Sequence, residues 1–201
     1  MFTEQQEKWL ARVEGMFFNY GIKGLTMDDV ARELGISKKT LYQFVENKND
    51  LVLKVVERHI EADKKNNACI HEIAGDALDE MFAVIKHVNE EISRIKSNIV
   101  YEMQKYHHEA WEKMQEYQRG YLHSVVRDNL ERGISEGLYR ENFNIDVVAK
   151  IHVAESFMVF DESWFPRNQY PLEALFREFL LYYLHGIVSE KGLLKLKTKL
   201  S

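Results

Sequence analysis

Proline and cysteine are nearly absent: the 201 residues hold two of the first and one of the second. With Cys69 alone no intrachain disulfide can form, which fits a reducing compartment. Everything before Pro166 is free of the residue that most disrupts a helix interior. Also missing is an uncharged apolar run of the roughly 20 residues that a membrane span requires. The strongest candidate, FREFLLYYLHGIVSEKG, is interrupted by Arg177 and Glu178 and then by His185. The first segment, MFTEQQEKWLARVEGMFF, places Glu4 and Glu7 ahead of its apolar residues and lacks the basic start of a secretory signal. The expectation is a cytoplasmic protein with no membrane partner.

Chemical motifs are scarce as well. The chain has no H-E-x-x-H, no G-x-S-x-G elbow and no phosphate-binding glycine-lysine loop. His107, His108 and Glu109 are polar neighbours, but adjacent helical residues point about 100° apart and cannot both meet one metal. His87 and Glu91 have helical spacing yet supply only two ligands, and Cys69 with nearby His71 lacks the ordering partner of a nucleophilic centre. No enzymatic activity, no metal and no cofactor are expected.

The net charge of −5 argues against a nucleic-acid partner until its distribution is considered. Residues 1–60 carry nine Lys/Arg and nine Asp/Glu, whereas the remaining 141 carry 18 and 23, so the acidity lies in the second part. Between Leu34 and Val45 there are two lysines and no acid. A local basic surface can therefore exist in an otherwise unfavourable field.

Apolar residues recur three or four apart over long stretches, which predicts an all-α chain. Leu10, Val13 and Phe17 form the first stripe, ending near Gly21. Thr26 with Asp29 reads as the capped start of a second helix whose buried side carries Val30, Ala31 and Leu34. Gly35 suits a left-handed helix end, Ile36 plugs the corner, and Ser37 caps a third helix anchored by Leu41 and by Phe44 or Val45. Asn47 and Asp50 repeat the pattern before Leu51, Val55, Val56 and Ile60. Further helices are expected over about 48–66, 70–96, 98–117, 119–136, 144–160 and 172–189, with DESWFPRNQYP as the clearest loop. Three helices around a small core, with the corner between the second and third, have the form of a helix-turn-helix.

Residues 17–51, FFNYGIKGLTMDDVARELGISKKTLYQFVENKNDL, resemble the DNA-binding domain of the TetR family of bacterial transcription regulators. The likeness lies in aromatic-x-x-x-Gly, Thr-x-x-x-Val-Ala, Leu-Gly-Ile-Ser-Lys, Thr-Leu-Tyr-x-Phe and Asn-Lys-x-x-Leu, in the family order and spacing. It implies a helix-turn-helix domain over 1–47, packed on a larger helical effector-binding and dimerisation domain over 48–201. It further implies a DNA-binding set of Thr26, Ser37, Lys38, Lys39, Thr40, Tyr42, Gln43 and Lys48. Tyr42 and Lys48 match family positions that meet phosphate, and Gln43 follows as a base reader. Three departures stand out: Lys39 occupies a place often held by glycine, Val45 follows Phe44 where many members have a polar residue, and the first seven residues carry no base, so minor-groove contact by that arm is not expected.

The same resemblance implies a ligand-responsive repressor that binds a palindromic double-stranded operator as a homodimer and is released by a small-molecule effector. The interface is expected on the last two predicted helices, at Val148, Ile151, Phe157, Leu175, Phe179, Tyr182, Tyr183 and Ile187. Large side chains at helical spacing supply candidates for the effector site: Phe82, Asn98, Tyr101, Met103, His107, Trp111, Met114, Tyr117, Tyr121 and Phe157. Effector occupancy would shift the helix over 48–66 and change the spacing of the two reading heads. The nearest alternative is a helical interaction protein that keeps this fold without binding DNA; a small helical enzyme is more distant.

Overall fold

In the computed structural model, which describes residues 2–95 and 98–200, local caps and glycine ends set the first helices. Helix α1, Glu4–Tyr20, begins at a capping box in which the Thr3 hydroxyl accepts from the Gln6 amide and the Gln6 side chain accepts from the Thr3 amide. It ends at Gly21, whose φ of 76° lies in the region that glycine tolerates. Helix α2, Met27–Leu34, has the expected Thr26–Asp29 box. At its end Gly35 turns left-handed, and the amides of Gly35 and Ile36 reach back to the carbonyls of Arg32 and Ala31. That pair of bonds is a Schellman end. Helix α3, Lys38–Phe44, starts at the Ser37 cap. Helix α4, Lys48–Ile73, starts where Asn47 Oδ1 accepts from the Asn49 and Asp50 amides. The Asp50 carboxylate reaches one residue further back than a capping box, to the Glu46 amide.

The chain forms two compact units, one of residues 1–64 and 94–116 and one of residues 65–93 and 117–201. Leu10, Val13, Phe17, Ile22, Val30, Leu41, Val45 and Leu51 are buried in the first. Phe44 is half-buried, with the Trp9 ring 6.1 Å away and the Phe2 ring 6.3 Å away. Glu14 of α1 meets two residues of α4, Arg58 at 2.7 Å and His59 at 2.8 Å. Burial alone would raise the Glu14 carboxyl, but the hydrogen bond and charge of His59, followed by Arg58, hold it below its ordinary range. Helices α6, Ile99–Tyr106, and α7, His108–Tyr117, divide at His107, whose backbone is non-helical.

The second unit contains α5 (Ala77–Ile92), a π-helical turn (Gln118–Leu122), α8 (His123–Ser135), α9 (Ile145–Met158), α10 (Leu172–Ile187) and α11 (Glu190–Leu200). Among the described residues no strand forms, only an isolated bridge between Tyr139 and Val188. The core gathers Leu78, Met81, Leu130, Tyr139, Ala149, Leu184 and Leu196. Tyr139 is the largest of its fully buried side chains, and its hydroxyl lies 3.2 Å from the Ala77 carbonyl and 3.1 Å from Asn129 Oδ1.

Four expectations about helix extent change, the first being that the helix expected over 98–117 divides at His107. The helix expected over 70–96 starts at Ala77, because α4 runs on to Ile73 and Asp76 then caps α5 by accepting from the Leu78 and Asp79 amides. The segment over 119–136 opens with a π turn. Helix α11 was not foreseen; it buries Leu196, and Lys195 and Lys199 pair with Asp76 and Asp79 at the start of α5.

Gly133 lies under the Tyr139 ring, where an added Cβ would come within 2.0 Å of a ring carbon. Gly133→Ala therefore has to displace a buried ring that also carries two polar contacts. The expected loss is about 2 kcal/mol, read from urea unfolding. Gly120→Ala, whose Cβ meets nothing within 4 Å, is the control and should be neutral or stabilising.

Candidate nucleic-acid interface

The α3 helix has two faces of different chemistry. Leu41 is fully buried and Val45, just past its end, nearly so, while Lys38, Lys39, Tyr42 and Gln43 are exposed. Ser37 Oγ accepts from the Thr40 amide at 3.0 Å and lies 2.8 Å from the Thr40 hydroxyl. Both hydroxyls are thus already engaged in the cap, with Thr40 half-buried. Thr26 is exposed and occupied by Asp29 in the same manner.

The lysines differ in what holds them. Lys38 Nζ sits 2.9 Å from Asp28 of α2, and the hydrogen bond to that carboxylate raises its pKa. A phosphate at Lys38 would compete with Asp28. Lys39 makes no ion pair among the described residues and presents an uncommitted charge. Lys48, half-buried at the start of α4, donates to the Leu25 carbonyl at 2.5 Å and lies 3.4 Å from that of Lys23. Burial lowers its pKa, offset in part by Glu102. One of its three donors remains for another acceptor.

Sequence reasoning missed a residue that grips the turn leading into α2. Glu102 of α6 accepts from the Ile22 amide at 2.7 Å and the Lys23 amide at 2.8 Å. These two amides lie in the turn between α1 and α2. A Cβ on Gly21 would come within 3.2 Å of both carboxylate oxygens, so glycine there serves the approach as well as the backbone angle. Nearby, His107 Nδ1 is 2.7 Å from Asn49 Oδ1. Burial, then the Lys48 charge, lowers the His107 pKa, so the neutral imidazole donates to Asn49. Glu102 and Ile22 are 80 positions apart, and no local pattern announces such a pair.

The other candidates divide between the two units. In the first unit Tyr101 is exposed and its hydroxyl accepts from Lys105, His107 is committed to Asn49, Met103 is buried, Asn98 is exposed, and Trp111 and Met114 are half-buried. In the second unit Tyr117 is buried and stacked on Tyr121 at 5.6 Å, Phe82 packs against the core, and Phe157 lies 6.4 Å from Phe160. Of the residues expected to meet a second copy, Ile151 and Tyr182 are exposed, Tyr182 by 74%. Tyr183 and Ile187 lie inside the unit's own core, and Val148, Leu175 and Phe179 pack against buried clusters. Among the described residues no group of three or more His, Cys, Asp or Glu is placed to hold a metal, and no helix is long and apolar enough to cross a membrane.

Residues 14–55 match the family model described as bacterial regulatory proteins, tetR family. An HTH-type transcriptional regulator of Bacillus subtilis (strain 168), YvaF, is 23% identical over 167 residues, covering 83% of this chain and 87% of the relative. A TetR-family transcriptional regulator from Agrobacterium tumefaciens superposes with a TM-score of 0.75 at 18% identity, covering 92% of this chain and 98% of the other. A regulator from Saccharomonospora viridis, solved in complex with choline, superposes with a TM-score of 0.72 at 14% identity over 92% of this chain and 98% of that one.

Glu102→Ala removes the acceptor of two turn amides. Amide exchange at Ile22 and Lys23 should accelerate at least tenfold, with a stability loss of about 2 kcal/mol. Unchanged exchange at both amides would show that the carboxylate does not hold the turn.

Proposed function

We propose, because the chain belongs to the TetR family of bacterial regulatory proteins, that it is a cytoplasmic transcriptional repressor which binds a two-fold operator as a homodimer and releases it when a small molecule occupies the carboxy-terminal part. In this reading residues 1–47 form the DNA-binding domain and residues 48–201 the effector-binding and dimerisation domain. The observation that carries it is the exposed row Lys38, Lys39, Tyr42 and Gln43 on a helix fixed from beneath by Leu41. A helix held in this way presents its leading side chains to the major groove.

The roles divide by chemistry. Lys39 is free to neutralise a phosphate or to donate to guanine, Tyr42 offers a hydroxyl to phosphate, and Gln43 can pair with adenine through its amide. Lys48 pins the turn between α1 and α2 through its two carbonyls and directs its remaining donor to the backbone. Ser37, Thr40 and Thr26 place helix starts, and any contact with DNA must share their caps. Support for a dimer comes from α9, where Val147, Ile151, Ala154 and Met158 form an exposed apolar stripe at helical spacing, with Tyr182 exposed on α10. The neighbour solved with choline supports a small-molecule effector without indicating its identity.

Selection of genomic duplexes with the purified protein tests the reading directly; no selected duplex at low or moderate salt leaves the interaction-only alternative. On a selected site, Lys39→Ala should weaken binding and reduce the slope of log affinity against log salt by about 1. Gln43→Ala should instead change the ranking of operator variants, with a cost of about 1–3 kcal/mol at the base it reads. The assignment of separate roles fails if both substitutions reduce every affinity by the same factor. For the dimer, Ile151→Glu should shift the sedimentation coefficient to that of a monomer at micromolar concentration while leaving the helical spectrum intact.

A further inference from the structure

Buried polar atoms in folded proteins nearly always find a hydrogen-bond partner, and each exception calls for a reason. In the second unit two exceptions adjoin one another. His152 of α9 and Tyr183 of α10 are each more than nine-tenths buried, and their ring centroids lie 3.8 Å apart. His152 Nδ1 and Tyr183 Oη have no hydrogen-bond partner among the described residues. Phe179, one turn earlier on α10, stacks with the imidazole at 5.1 Å and packs against the apolar cluster of Ile92, Val159, Phe176 and Leu180. Val88 of α5 packs against the same cluster, and the next residue, Asn89, also has a buried Oδ1 without a partner.

Packing alone does not account for the pair. Leucine and phenylalanine would fill similar space without stranding two polar atoms in an apolar surround. The electrostatics narrow the chemistry further. Burial is the sole cause that lowers the His152 pKa, to about 4, and the sole cause that raises that of Tyr183, with no charged neighbour contributing to either. The imidazole is therefore neutral and the phenol protonated near neutral pH. An ionised group brought to their polar atoms would have no counter-charge, and its desolvation would go uncompensated. What the site offers is a phenol O–H donor, an imidazole nitrogen that donates or accepts according to tautomer, and apolar rings.

We propose that His152 Nδ1 and Tyr183 Oη form the polar end of the effector site, and that the effector presents to them an uncharged carbonyl or hydroxyl on an otherwise apolar body. The inference rests on the regulator reading above and specifies the ligand chemistry within it. Neither residue is among the effector-site candidates suggested by the sequence. The Tyr183 hydroxyl donates to the ligand oxygen, and the carbon skeleton lies against Phe179 and its apolar neighbours.

The test uses the full chain and three probes with one apolar body and different heads: 2-acetylnaphthalene, 2-naphthoate and 2-naphthyltrimethylammonium. Calorimetry should give at least tenfold tighter binding for the acetyl probe than for either ion. The nitrogen-15 resonance of His152 Nδ1 should move on its addition. Tyr183→Phe, which removes one oxygen and keeps the ring, should weaken that probe about tenfold while the melting temperature of the free protein stays equal or rises. Equal or tighter binding of a charged probe overturns the proposal, as does an affinity that Tyr183→Phe leaves unchanged. Failure of the acetyl probe to bind or to move the His152 resonance overturns it too, leaving the two atoms to an internal water only. Duplex binding in the same samples separates the two inferences. A protein that binds its selected duplex but fails these arms loses the ligand assignment alone, whereas one that binds no duplex loses the regulator reading whatever the probes do.

Discussion

The α3 helix has seven residues, too few for its backbone hydrogen bonds to outweigh the cost of nucleating a helix, so it exists only while its neighbours hold it. Three local devices do so: the left-handed Gly35, the Ser37 cap, and the burial of Leu41 and Val45. The first two act at the start of α3, and the third buries the side that faces the protein. The opposite side leaves Lys39, Tyr42 and Gln43 exposed, and the DNA-reading role proposed for them depends on that division.

A second layer of support comes from far along the chain. The turn between α1 and α2 has amides that no helix satisfies, and the Glu102 carboxylate accepts two of them. Lys48 satisfies carbonyls of the same turn, so one short segment is gripped by an acid from α6 and a base from α4. Opposite charges on the two grips keep each other's local field low.

Legibility in the sequence followed distance along the chain. The Thr26–Asp29 box, the Gly35 end, the Ser37 cap and the Asn47 cap were all readable, because their partners lie within five residues. Asp76 was equally local but sat inside an apolar periodicity that ran through it, and the break at residues 74–76 went unseen. Helix α11 escaped for a related reason, since its lysine-rich face reads as a solvated tail until Asp76 and Asp79 are placed beside it. Tyr182 and Tyr183 show the limit most simply. As neighbours in sequence they looked alike, yet one is 74% exposed and the other 7%.

The sequence by itself determined the helical class, the helix-turn-helix corner and which face of α3 is left exposed, because these depend on short-range hydrogen bonds and on a period of 3.6 residues. Only the tertiary structure decided that Glu102 holds the first turn, that Lys48 is half committed to carbonyls, and that His152 and Tyr183 share a buried, uncharged setting. The reason is physical. A side chain's burial and partners are set by elements that meet across tens of residues, and helical periodicity specifies which face is apolar without specifying what will cover it.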